Sequence, residues 1–171
     1  QVGPVAVGAT RIAPWLRAHR DEFFLEYQPI VDLRTRRWVG AEALVRWKRD
    51  DGALVRPDAF IPEAEDNGLI AHITERVLRM VAADAAALVQ RHPDFHVGIN
   101  LSAADLASGR TLVVLGHLLR TPGFSPHNVS IEATERGLLE AGVVRDILRQ
   151  IRAMGIRVAI DDFGTGYSGL S

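Results

Sequence analysis

At 171 residues with 47% hydrophobic residues, the chain is long enough to bury a substantial core, and its length points to one domain. Lys and Arg number 20 against 21 Asp and Glu, a formal net charge of -1, which excludes a global basic field for nucleic-acid polymers, so any anionic ligand must be held locally. Cysteine is absent, which excludes disulfides and thiolate metal sites, and no apolar run approaches the roughly 18 residues of a membrane span, so no direct membrane insertion is expected.

Gln1 to Thr10 is small, apolar and Pro/Gly-containing, and reads as a linker or cloning remnant ahead of a domain over residues 11–171. A short amphipathic helix is predicted around Arg11 to Arg20. Phe23 to Leu33 and Trp38 to Trp47 read as strands joined by Arg34-Thr35-Arg36-Arg37, a connection short enough only for an antiparallel hairpin. Pro57-Asp58-Ala59-Phe60-Ile61-Pro62 is a helix-start pattern, and Ile73 to Arg91 an Ala-rich helix stopped before Pro93. Strand and helix then alternate: His96 to Ser102, Thr111 to Arg120, Val129 to Glu135, Val143 to Met154 and Arg157 to Phe163. A strand period of about 30 residues is the size of a βαβ unit, which means a parallel sheet, either an α/β barrel or an open doubly wound sheet.

The strand faces favour the barrel. Strands of an open doubly wound sheet are covered on both faces and read as continuous apolar runs. Here one face is apolar (Val39, Ala41, Ala43, Val45; Val97, Ile99, Leu101; Val129, Ile131, Ala133; Val158, Ile160). The other pairs a small residue with an oxygen-bearing one two positions later: Gly40 and Glu42, Gly98 and Asn100, Ser130 and Glu132, Ala159 and Asp161. Side chains alternate with period two, so each pair shares a face, its second member nearer the carboxyl end. In a closed barrel that face is the interior, and its carboxyl-end rim is where active sites are built. Glu42, Asn100, Glu132 and Asp161, taken to occupy equivalent strand positions, would converge there as hard oxygen ligands suited to Mg²⁺, Mn²⁺ or Ca²⁺ rather than zinc.

The ordered set Tyr27-Gln28-Pro29-Ile30-Val31-Asp32-Leu33, Glu42-Ala43-Leu44-Val45-Arg46-Trp47, Phe60-Ile61-Pro62 through Gly68-Leu69-Ile70, Asn100-Leu101-Ser102, Glu132-Ala133-Thr134-Glu135 and Asp161-Asp162-Phe163-Gly164-Thr165-Gly166-Tyr167-Ser168 resembles the EAL domain family of cyclic di-GMP phosphodiesterases. The resemblance implies a TIM-type (β/α) barrel whose first strand runs antiparallel, here truncated after about strand five or six. The rest, with the family's lysine, a later glutamate ligand and a glutamine, would follow Ser171. The resemblance further implies metal ligation by Glu42, Asn100, Glu132, Asp161 and Asp162, with Glu42, Asp161 and Asp162 in the chemistry. Gln28, Leu44 and Arg46 match substrate-contacting positions, the arginine gripping a phosphate.

The implied reaction is hydrolysis of cyclic di-GMP to linear pGpG with two divalent ions, Mg²⁺ or Mn²⁺, which lie about 3.5–4 Å apart in two-metal sites generally. Ca²⁺ is expected to bind and inhibit. The loop after Asp162 is a candidate homodimer contact, other domains of a longer chain are expected partners, and the expected location is the cytoplasm, or the cytoplasmic part of a membrane-anchored multidomain protein. The competing functions are a catalytically inactive receptor for cyclic di-GMP or protein-interaction module, and a barrel enzyme acting on another substrate. His92 and His96 are separated by Pro93, which breaks the helix that would align them as ligands. Arg34, Arg36 and Arg37 form a basic turn without aromatic stacking partners, read as a solvated hairpin tip rather than a nucleic-acid platform.

Overall fold

A computed structural model gives the structure of the chain and describes residues 20–134 and 142–161. The expected helix over residues 11–19, the linker, Glu135, Asp162 and the candidate dimer loop lie outside the described residues.

After a 3-10 turn, Arg20–Glu22, the strands are β1 (Phe23–Val31), β2 (Trp38–Lys48), β3 (Leu54–Val55), β4 (His96–Leu101), β5 (Val129–Thr134) and β6 (Arg157–Asp161). The helices are α1 (Pro57–Asp66), α2 (Ile70–Arg91), α3 (Ala103–Ala107), α4 (Arg110–Leu119) and α5 (Gly142–Ala153). The sheet order is β1-β2-β4-β5-β6, with the short β3 beside β2. As so short a connection requires, β1 and β2 are antiparallel, whereas β2, β4, β5 and β6 are parallel.

The helices pack on one face. Residues at helical spacing, Val77, Leu78, Val81 and Val89 of α2, Leu115 and Leu118 of α4, and Val144, Ile147 and Ile151 of α5, form one core with Val97, Ile99, Leu101, Val129, Ile131 and Ala133 of the strands. Burying aliphatic side chains of this size contributes about 1.5–3 kcal/mol each. Tyr27, on the same outward face of β1, donates its hydroxyl to Asp84 of α2 at 2.9 Å; burial, then the Asp84 carboxylate, raises its pKa. One-sided covering matches the barrel expectation and leaves the opposite face of β2, β4 and β5 to polar residues. Among the described residues no helix is long and apolar enough to cross a membrane.

Two clamps set the ends of the sheet. At the carboxyl end of β2, Trp47 stacks on Phe23 at 5.9 Å and meets Phe60 of α1 edge-on at 5.8 Å, while its indole N–H donates to Glu22 at 2.7 Å. This cluster holds α1 over the rim. At the opposite end, the almost wholly buried Asn128 donates to the carbonyls of Pro93 and Phe95, both at 2.7 Å, and accepts from the backbone N–H and hydroxyl of Ser125, both at 2.8 Å. One carboxamide thereby ties the approach to β4 to the approach to β5.

Candidate active site

The polar face climbs across the sheet. Gln28 stands opposite Glu42, and Glu42 shares its row with Gly98 and Ser130; Asn100 and Glu132 occupy the next row with Ala159; Asp161 is in register with Thr134, one row further. The expectation that Glu42, Asn100, Glu132 and Asp161 occupy equivalent positions is therefore corrected: each flank of the set steps up by two residues. The stagger is the shear that tilted strands acquire as a sheet curls toward a barrel.

Side chains close the gap that the stagger opens. Asn100 Nδ2 donates to Glu42 Oε1 at 2.7 Å, bridging the two rows. Glu132 leans down over Gly98: a Cβ built on Gly98 would collide with Glu132 Oε1. Because Gly98 is the register neighbour of Glu42, the missing side chain is what lets the Glu132 carboxylate approach β2. Glu42, Asn100 and Glu132 thus present oxygen donors from three adjacent strands. Among the described residues no group of three or more His, Cys, Asp or Glu is placed to hold a metal ion. The backbone places Asp161 at the end of β6; Asp162 lies outside the described residues.

Arg46 lies two positions beyond Leu44 and four beyond Glu42 on the same face, roughly 13 Å from Glu42 along the strand. Its Nε donates to Glu26 Oε2 at 2.7 Å and one Nη to the Val45 carbonyl at 3.0 Å. The Arg46 side chain is 21% exposed and that of Glu26 52%, so this pair contributes orientation more than stability. The remaining N–H groups of the fork stay available for an anion. Glu26 was not singled out from sequence, although its period-two spacing from Gln28 puts it on the functional face. Leu44, Arg46 and Asn100 line a cleft of about 450 Å³ walled by Ile61 of α1 and Thr74 of α2.

The floor of that cleft contains a second feature not anticipated. Ser102, after Asn100 and Leu101, begins α3: its hydroxyl accepts from the Asp105 N–H at 3.2 Å, and Asp105 Oδ2 accepts from the Ser102 N–H at 3.1 Å, a reciprocal cap. Asp105 is 1% exposed, and burial raises its pKa against the lowering effect of those Ser102 bonds. The Ser-x-x-Asp spacing was the available signal. The helix is five residues long, too short for an apolar period to reveal it.

The EAL domain family model matches residues 13–171. The chain belongs to the EAL domain family. It is 37% identical over 147 residues to the probable cyclic di-GMP phosphodiesterase PdeB of Escherichia coli K12, covering 86% of this chain and 28% of that protein. It is likewise 37% identical over 147 residues to the cyclic di-GMP phosphodiesterase PA2567 of Pseudomonas aeruginosa, covering 85% of this chain and 25% of that one. Among solved structures, the PaMucR phosphodiesterase in complex with cyclic di-GMP superposes with a TM-score of 0.81 at 34% identity, over 92% of this chain and 66% of that one. This EAL chain therefore spans about a quarter of the length of those two curated relatives. The TIM-like barrel of its structural neighbours agrees with the antiparallel first strand and the one-sided helical layer found here.

Proposed function

We propose that these residues form part of a metal-dependent phosphodiesterase site that hydrolyses cyclic di-GMP to linear pGpG. The observation that carries the reading is the convergence of Glu42, Asn100 and Glu132 on the polar face, one bonded to another and the third admitted by Gly98. The names of the relatives and of the PaMucR complex support the substrate.

The donor set fits a hard divalent cation: two carboxylates and a carboxamide, with Asp161 and Asp162 as further ligands and no nitrogen or sulfur donor. Mg²⁺ or Mn²⁺, when bound, supplies Lewis-acid stabilisation of phosphoryl charge and lowers the pKa of water. Glu42, Asn100 and Glu132 hold that charge at the rim. Arg46, oriented by Glu26, grips a phosphate oxygen and sets the phosphodiester across the rim, while Leu44 supplies apolar contact and Gln28 a polar one beside Glu42. Net hydrolysis adds the elements of water across one P–O3′ bond, leaving a 5′-phosphate and a 3′-hydroxyl. Ca²⁺ would occupy the same oxygen ligands with looser geometry and suppress turnover.

The deciding experiment is chromatographic product analysis of cyclic di-GMP incubated with the full-length protein and Mn²⁺. The expected product is pGpG, lost on chelation with EDTA, restored by Mn²⁺ or Mg²⁺ and suppressed by Ca²⁺. A metal-loaded protein that binds cyclic di-GMP and yields no product would instead establish a receptor. A second prediction concerns the Gly98 gap. Gly98→Ala should lower kcat/KM by about 10–100-fold, the range found for residues that orient metal ligands. The atom its Cβ would strike is the far end of a flexible side chain, so the thermal melting curve should barely move. Full activity with Gly98→Ala would show that Glu132 need not lean toward Glu42.

A further inference from the structure

We propose that the tip of the β1–β2 hairpin is a contact site for an anionic lipid bilayer surface. The tip is apolar and basic at once. Val31 and Trp38 pair across the strands, and they are 41% and 72% exposed, with Leu33 beyond them at 91%. Between them Arg34, Arg36 and Arg37 are all exposed, and among the described residues none of the three enters an ion pair. The one acid of the turn, Asp32, is engaged within the turn itself, its Oδ1 accepting from the Thr35 N–H at 2.7 Å and hydroxyl at 3.0 Å, so three arginines face one carboxylate and the tip stays net cationic.

The backbone adds an independent observation. Arg36 has φ of 55°, a left-handed conformation that glycine or asparagine adopts far more readily. Arg36 N–H donates to the Asp32 carbonyl at 2.7 Å and Asp32 N–H to that of Arg37 at 3.0 Å, so the turn is closed around a residue poorly suited to it. A strained position occupied by a cation at a protruding tip fits a role other than folding.

The occupant follows from shape and charge. A convex tip of a few residues cannot supply the roughly 800 Å² per partner of a stable protein interface. A tryptophan and a leucine flanked by unpaired arginines match the headgroup boundary, where indole rings settle and basic residues meet anionic lipid. The other described connections at this end, 92–95, 121–128 and 154–156, carry a single carboxylate, Asp94, beside His92 and His127. The tip also lies at the amino end of β2, eight residues and roughly 26 Å along the strand from Arg46. Docking would therefore leave the polar rim facing away from the bilayer.

The test is vesicle co-sedimentation of the full-length protein with tryptophan emission recorded in parallel. Partition onto phosphatidylcholine vesicles containing phosphatidylserine, absent on phosphatidylcholine alone, is the expected result, with emission shifting to shorter wavelength in the parent protein and not in Trp38→Ala. Replacing all three arginines with glutamine should weaken partition on the order of 100-fold, about five-fold for each charge. Arg36→Gly separates folding from binding: it should raise the melting temperature by relieving the backbone and still weaken partition about five-fold. Failure to sediment, or partition unchanged in both the triple variant and Trp38→Ala, overturns the proposal. Polyglutamate displacing the protein from vesicles without any Trp38 dependence overturns it too, in favour of an acidic protein partner.

Discussion

Glu42→Ala should reduce the proposed hydrolysis of cyclic di-GMP by on the order of 1,000-fold or more, because on that reading it removes a metal ligand and with it several kcal/mol of transition-state charge stabilisation. The effect should exceed that of Gly98→Ala, since Glu42 is the hub of the site: it accepts from Asn100 on one side, faces Gln28 on the other and is the register neighbour of Gly98, over which Glu132 leans. Folding should survive, because Glu42 lies on the face the helices do not cover and its neighbours Ala41 and Ala43 supply the packing. Single-turnover product analysis beside a melting curve checks both halves. A variant that melts normally and retains more than about one-tenth of the parent rate would remove Glu42 from the proposed metal site and point to Asp161 and Asp162 instead.

Asn128→Ala should destabilise the fold by about 3 kcal/mol, lowering the melting temperature by about 6–12 °C for a domain of this class. The carboxamide is almost wholly buried and uses both its N–H groups and its oxygen. Truncation takes the partner from two carbonyls and one backbone N–H around an almost wholly buried position, and an unpaired buried group costs more than the bond was worth. Asn128→Asp tests the direction of those bonds. It keeps an acceptor for Ser125 but cannot donate to Pro93 and Phe95, so it should be destabilised to a similar or greater extent. Urea denaturation with an unchanged m value reads this out. If Asn128→Asp matched the parent, the two carbonyl contacts would carry no stability. Because Asn128 joins the approaches to β4 and β5, its loss should also loosen the register that sets Asn100 beside Glu132.

Local rules made much of this legible. The hairpin was readable because a four-residue connection between two alternating segments admits no crossover, and β1 and β2 fall within two residues of the expected bounds. The long helix was readable from its apolar spacing and from Pro93, although it begins at Ile70 rather than Ile73, since its first turn carries no side-chain cap to mark the start. The two faces of each strand followed from period-two alternation, and with them which side chains share the polar face of β2, β4 and β5. The short α3 and the two-residue β3 were missed, being shorter than any period that could announce them.

What the chain alone could not supply is the relation between strands. Alternation names which side chains share a face and says nothing of how far one strand slides past the next, so Glu42, Asn100, Glu132 and Asp161 read as level when the sheet staggers them. That stagger lies in the registers of β2 with β4 and of β5 with β6, pairings between strands far apart in the chain, while the Asn128 clamp joins the level pair β4 and β5. Likewise Glu26 on Arg46 and Glu132 over Gly98 are contacts between strands whose meeting depends on register. The identity of the candidate oxygen donors was a property of the sequence; how they are brought together is a property of the tertiary fold, because a strand's period is set locally and its offset is not.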